Sequence, residues 1–269
     1  MFQLALDAGH YLETAGRRVS KKFDKNQTRE WVLNDRIARY IAQYAGEYAD
    51  LEVLRVDDES GKTSVGLQAR CDRANKWKAD FYLSIHHNAG ILGGKGGGIV
   101  AYGYKKPHTC RDAIYNACVN ATGLQGNRSK PLVSKGFHVL KYTKMPAVLI
   151  ECGFMDSSVD APIILTEDFA KKMARAMLEA IARCYGLTKK EAQTTVTVQL
   201  PVLEKGAKEA AVEAMQGLLV AAGFSCGEKG IDGSFGADTR KALKAFQKKQ
   251  GLQETGICRQ AEWEQLLGV

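Results

Sequence analysis

The segment "DFYLSIHHNAG", residues 80–90, carries His86 and His87, two of only five histidines in 269 residues. The residues before them read as a strand, with Tyr82, Ser84 and His86 on one face and Phe81, Leu83 and Ile85 on the other. His86 then stands where the backbone leaves a sheet. His10 has the same setting, after "FQLALDA" and Gly9, and Glu151 follows the apolar run "AVLI". Ligands of open α/β sheets bind beyond the carboxyl ends of the strands. These three groups therefore converge if their strands are parallel neighbours. Glu30 lies three residues before Leu33 and seven before Ile37, on the face of a helical pattern that turns inward. A carboxylate there is costly to bury without a cation. Taken alone, Glu30 reads better as a first-turn acid favoured by the helix dipole and partly solvated. Taken together, two histidines and a glutamate form the ligand set of a catalytic zinc site with one position left for water. Such an ion brings the pKa of its water toward about 7, and a spare carboxylate can then move the proton to a leaving amine. Glu151 suits that task, because its apolar neighbours raise its pKa. No HExxH occurs, which excludes a thermolysin-type arrangement.

The elements that must position these groups alternate along the first 186 residues. Strand patterns occur at "FQLALDA", "LEVLRV", "DFYLSIH", "GGIVAYGY" and "PAVLIECGFM". Helical patterns occur at "TREWVLNDRIARYIAQYA", "SVGLQARCDRANKW", "CRDAIYNACVNATG" and "EDFAKKMARAMLEAIARCYG", the last closed by Gly186. The near-continuous apolar run in "PAVLIECGFM" predicts a strand covered on both faces. This alternation predicts an α/β domain over residues 1–187, with a twisted, mixed or largely parallel sheet flanked by helices. Residues 188–205, "TKKEAQTTVTVQLPVLEK", are polar and Thr-rich and read as a linker, with a short strand around Val196–Leu200. Residues 206–269 carry three short amphipathic helical patterns and read as a small three-helix domain, marginal alone at this size.

Composition narrows the classes of function. No apolar stretch approaches the ~20 residues needed to cross a bilayer, so no membrane insertion is expected. The opening "MFQLALDAGH" shows no basic region or cleavage signature, so synthesis in a cytoplasm without a signal peptide is expected. Seven cysteines, an odd number without a CxxC pair, argue for reduced buried thiols rather than a disulfide framework. Net charge is +8; residues 206–269 hold eight basic and eight acidic side chains, leaving 30 basic against 22 acidic in residues 1–205. That excess suits a polyanionic setting such as an anionic cell wall. No nucleic-acid recognition motif accompanies it. The "GGKGGG" run at 93–98 lacks phosphate-loop spacing and reads as a flexible loop entering a strand. A Cys–His amidase built on Cys152 is disfavoured, since on a strand Cys152 faces away from Glu151.

The stretches "DAGH" (7–10), "REWVLND" (29–35), "SIHHNA" (84–89) and "MPAVLIECGFMDSSVD" (145–160) resemble the type 3 family of zinc-dependent N-acetylmuramoyl-L-alanine amidases. These enzymes cut the amide between the lactyl group of N-acetylmuramic acid and the first alanine of the peptidoglycan stem peptide. The resemblance implies one zinc ion held by His10, Glu30 and His86, with Glu151 as the catalytic acid–base. It leaves His87 as a cleft-wall or solvated residue, and makes Asn88 a candidate for binding substrate or orienting the site or its loop. His138, which precedes the catalytic strand, is a candidate for substrate contact and reads equally well as a packed or hydrogen-bonded histidine. His108 reads as a surface loop residue. Two departures, Ala8 in place of proline and Tyr11-Leu12 after the histidine, alter the loop beside the metal but spare the ligands. Residues 206–269 resemble the three-helix peptidoglycan-binding domain of wall hydrolases. Their most diagnostic piece is the turn Asp232-Gly233-Ser234-Phe235-Gly236, which has no EF-hand ligand series. The expectation is a wall-lytic amidase, of phage endolysin type, whose partner is bacterial peptidoglycan and which acts on the wall after release. Its rivals are a non-catalytic wall-binding protein on a degenerate amidase fold and a zinc peptidase acting within the stem peptide.

Overall fold

The computed structural model describes residues 1–105, 109–190 and 200–268, which form two compact units, Met1–Glu191 and Ala192–Val269. The first unit is built on six strands: β1 (Phe2–Ala8), β2 (Leu51–Arg55), β3 (Phe81–Asn88), β4 (Val100–Gly103), β5 (Leu132–Ser134) and β6 (Ala147–Phe154). Their order is β2-β1-β3-β6-β4-β5. β2, β1, β3 and β6 run parallel, whereas β4 is antiparallel to β6 and carries β5 in parallel beside it. The sheet is thus mixed, with a parallel centre, as the alternating pattern predicted.

Period-two alternation sorts the central strands onto two cores. Val148, Ile150 and Cys152 of β6 join Phe81, Leu83 and Ile85 of β3 beneath the helices α1 (Glu30–Ala45), α3 (Thr109–Thr122) and α6 (Glu167–Tyr185). Ala147 and Leu149 of β6 join Tyr82 of β3 on the opposite face, beneath α2 (Leu67–Trp77) and α4 (His138–Tyr142). A further short helix, α5 (Asp160–Ile164), follows β6. Helix α6 is amphipathic, capped by the Thr166 hydroxyl, which accepts from the Phe169 N–H, and ended by Gly186 in the left-handed region (φ 68°).

The second unit holds α7 (Ala210–Ala221), α8 (Ala237–Lys249) and α9 (Gln260–Leu267) around Val212, Met215, Leu219, Phe235, Leu243, Phe246 and Trp263. Its turns are fastened by two buried glutamines. Gln216 donates to Asp232 Oδ1 (2.9 Å) and accepts from the N–H groups of Asp232 (3.0 Å) and Gly233 (2.9 Å). Gln247 does the same for the turn before α9, donating to Glu262 and accepting from the Gly256 N–H.

The linker expected over 188–205 is narrower than the polar composition suggested. Residues 188–190 are tied to the first unit, where the Ala49 N–H donates to Thr188 O and the Lys190 N–H to Glu47 O. Leu203 is fully buried in the second core and bridges Cys258 in antiparallel fashion. Residues 191–199 lie outside the described residues, and with them most of the strand expected around Val196–Leu200. His108, expected in a surface loop, lies outside them too.

Candidate active site

The parallel register of β1, β3 and β6 brings the expected groups to one edge of the sheet. In the β3–β6 pairing His86 is the partner of Glu151, so their side chains lie next to each other on one face. β1 ends one strand away, where the Gly9 N–H donates to Ile85 O (2.9 Å). His10 follows with φ 70°, a conformation unusual for a residue with a side chain. Glu30 enters from above as the first residue of α1, with its N–H donating to Arg17 O (2.9 Å). Glu30 is fully buried, so the alternative of a partly solvated first-turn acid does not hold.

Glu30 Oε1 lies 3.3 Å from His10 Nε2 and 3.2 Å from His86 Nδ1. The two imidazole rings stand edge to face, 4.9 Å between centroids. One nitrogen from each ring and a carboxylate oxygen all lie within 4.8 Å of one another. Burial alone would raise the Glu30 pKa, but the hydrogen bonds and charges of both histidines hold it well below the ordinary carboxylate range. Burial alone would lower that of His86, but Glu30 and Glu151 raise it. The second carboxylate oxygen, Glu30 Oε2, is buried with no hydrogen-bond partner among the described residues, and Arg17 Nη1 stands 3.8 Å from it. Two histidine nitrogens, a desolvated anion and a spare carboxylate oxygen suit a divalent zinc-like ion. The residues present therefore fit the metal that the motifs imply.

Glu151 is different in kind. Its Oε2 is buried without a hydrogen-bond partner among the described residues. Burial, reinforced by Glu30 and opposed by His86, Arg17 and Arg128, pushes its carboxyl up to about 7. It lines a cleft of about 480 Å³ together with His10, His86, Arg17, Phe137 and His138. His138 starts α4, and its Nε2 lies 3.0 Å from Gln68 Oε1. Asn88 is not among the cleft-lining residues; its Oδ1 accepts the N–H of Ala89 (2.8 Å) where the loop leaves β3.

His87 is a correction to the sequence reading. It is neither cleft wall nor solvated: only 1% of it is exposed, on the α1 face of the sheet, and its Nδ1 meets Asn34 Oδ1 at 2.8 Å. Burial pulls its pKa down to about 3. The alternation of β3 demands this, because residues 86 and 87 must point to opposite faces. The glycine loop at 93–98 is likewise not free. The Gly93 N–H donates to Asp156 O (2.8 Å), that of Gly97 to Asn127 Oδ1 (3.2 Å) and that of Gly98 to Asp160 Oδ2 (2.7 Å), while Asp156 Oδ2 accepts the N–H groups of Gly90, Ile91 and Leu92 just before the loop, each at 2.9 Å. Cys152 is fully buried in the core on the face opposite Glu151.

Two side chains that the motif reading passed over fasten this edge. Arg70, on the buried face of α2, is ion-paired with Asp7 and donates to Ala8 O (3.0 Å), His10 O (2.8 Å) and Val65 O (2.9 Å). Asn34 donates to Gly9 O (3.0 Å). Both residues carried a legible signal: a cation beside Cys71 and Ala74, and an amide in the apolar stripe of Leu33, Ile37 and Ile41.

A family model described as "N-acetylmuramoyl-L-alanine amidase" matches residues 4–183. The chain belongs to the N-acetylmuramoyl-L-alanine amidase family. A second model, "Putative peptidoglycan binding domain", matches residues 208–266. Among curated relatives of this amidase, CwlM of Bacillus licheniformis is 32% identical over 71% of this chain and 72% of its own length. The sporulation-specific N-acetylmuramoyl-L-alanine amidase of Bacillus subtilis is 29% identical over 74% of both. The catalytic domain of CwlV from Paenibacillus polymyxa shares the fold with TM-score 0.59 at 24% identity, over 70% of this chain and all of that one. An amidase from Clostridium difficile 630 does so with TM-score 0.61 at 24% identity, over 69% and 97%. In the second unit the matched region includes the expected turn. Gly233 there adopts φ 69°, Phe235 is buried, and Asp232, Ser234 and Gly236 line an open surface cleft.

Proposed function

We propose that this amidase hydrolyses the bond between N-acetylmuramic acid and L-alanine in peptidoglycan, with His10, Glu30 and His86 holding one zinc ion. The observation that carries the reading is the meeting of these three groups, with His10 and His86 lining the same cleft as Glu151 and Glu30 buried behind them. When bound, the ion supplies Lewis acidity toward water and the amide carbonyl. The proton traffic falls to Glu151. Burial leaves its carboxyl near neutrality, so it can accept a proton from the attacking water and release it to the departing alanine nitrogen. The C–N bond breaks as that nitrogen takes the proton, leaving a lactyl carboxylate and a free alanine amine. Arg17, exposed on the cleft rim, offers positive charge to the acidic stem peptide.

The second unit would hold the enzyme on its insoluble substrate and raise the local concentration of cleavable bonds. Joining the two supports a wall-lytic role, that of a phage endolysin, with a host autolysin or spore-associated enzyme as the alternative. Digestion of purified walls tests the reading: N-terminal alanine must appear, and a chelator must stop its release. Release of other amines would indicate a stem-peptide peptidase, and no release a wall-binding protein. Glu151→Gln should lose about 10²–10⁴-fold in activity while retaining metal. External addition to intact cells, followed by turbidity, tests the lytic role.

A further inference from the structure

The three groups of the triad come from three elements, and one buried side chain reaches all three. Asn34 sits one turn after Glu30 on α1 and is fully buried. Its Nδ2 donates to the carbonyl of Gly9, the residue before His10. Its Oδ1 lies 2.8 Å from Nδ1 of His87, the residue after His86. The loop is closed by the His87 backbone N–H, which donates to Glu30 Oε1 (3.2 Å). The orientation of the carboxamide is fixed by its partners. Gly9 O can only accept, so the amide nitrogen must face it, and the amide oxygen then requires a proton on His87 Nδ1.

The turn that Asn34 grips needs holding. His10 has φ 70°, which costs a residue with a side chain free energy that the surroundings must offset. Three successive carbonyls through this turn, those of Ala8, Gly9 and His10, each accept from a side chain: Arg70, Asn34 and Arg70 in order. Of the three segments Arg70 grips the β1 turn, whereas Asn34 couples that turn to β3 and α1.

We propose that Asn34 is a positioning residue whose carboxamide sets the spacing of His10, Glu30 and His86 and thereby the affinity of the site for its cation. This rests on the zinc reading above. Partners that orient metal ligands from outside the coordination shell are worth about 10–100-fold in metal affinity. Zinc affinity of the full-length apoprotein is measured by competition with a chromophoric chelator, alongside thermal unfolding without metal. Asn34→Ala should bind zinc about 10–100-fold more weakly than wild type. Ile37→Ala hollows the same buried face of α1 and removes no hydrogen bond to Gly9 or His87, so it should lose stability yet keep wild-type affinity. Should Asn34→Ala not fold, Asn34→Asp keeps the acceptor for His87 and removes the donor to Gly9 O, and the same weakening is expected. Affinity of the Asn34 variant within about threefold of wild type, or equal weakening in Ile37→Ala, overturns the proposal. Wild-type binding no tighter than that of His10→Ala overturns the zinc reading itself, and the role of Asn34 with it.

Discussion

Replacing Arg70 by Met should cost the first unit about 3–5 kcal/mol, the penalty of leaving one member of a buried ion pair without its partner. The structure places the substitution at the high-cost end of single changes. Arg70 and Asp7 are 3% and 1% exposed, and methionine would replace the arginine's aliphatic stem without its charge. As hydrogen-bond donor to its carboxylate, Asp7 would keep, among the described residues, the Ser84 hydroxyl alone, which donates to its Oδ2 at 2.7 Å. The carbonyls of Ala8, His10 and Val65 would also lose a donor. His10 and Val65 line the cleft and their bonds to Arg70 are only partly buried, so water can replace the arginine there and these losses add little beyond the charge term. For a unit of this size the loss corresponds to a fall in Tm of about 6–20 °C. Near-ultraviolet circular dichroism of the full chain would follow it, since Trp31 and Trp77 report the first unit and Trp263 the second. The double variant Asp7→Asn/Arg70→Met removes the stranded charge and should recover more than half of the loss. A single variant within about 1 kcal/mol of wild type, or a double variant no better than the single, would refute the claim that a desolvated charge pair fastens this edge.

Further outcomes concern pH, sterics and salt. Burial raises the pKa of Asp7, but Arg70, His86 and the Ser84 hydroxyl outweigh it and hold the group below the ordinary carboxylate value. Its stabilisation is then complete above about pH 4 and lost as pH falls through the folded-state pKa, so denaturant titrations below pH 4 should show a shallower pH slope in Asp7→Asn. Gly9→Ala would put a Cβ 2.1 Å from His86 Cε1, displacing that ring; we expect at least about 10-fold weaker zinc binding by chelator competition, with the fold retained. The excess of basic over acidic side chains in residues 1–205 should make wall digestion slow as salt rises from 0.1 to 1 M, because the screening length falls from about 10 to 3 Å. An unchanged rate would remove wall electrostatics from the account.

Most of the fold was legible because its elements are long enough to show a period. β1, β3, β6, α1, α3 and α6 each span seven residues or more, and their apolar spacing names both the element and its buried face. β5, with three residues, and α4 and α5, with five each, are too short to carry a period. They form because a neighbour completes them: β5 exists only as the partner of β4. The linker boundary was misjudged for a related reason. Leu203 ends the short apolar run at 200–203 of an otherwise polar segment, and its pairing with Cys258, far along the chain, makes it core.

The site divides along the same line. His10, His86 and Glu151 stand at strand ends, and a general rule about parallel sheets says that strand ends meet, so residue type and position sufficed. What holds them depends on pairs that no local pattern couples. An asparagine in an apolar stripe announces that a buried polar group needs partners, yet not that they are the Gly9 carbonyl and the His87 imidazole. His87 itself was misassigned by its adjacency to His86, although the pleat sends neighbouring residues to opposite faces. Gly9 shows the limit most sharply. Its φ is not in the left-handed region, so the backbone gives no reason for glycine there. The reason is the His86 ring, packed where a side chain would begin, 77 residues away in sequence. A site whose groups are visible one by one is therefore specified by contacts between segments. On the proposed zinc reading, a variant that preserves all four chemical groups but breaks those contacts should lose metal before it loses the fold.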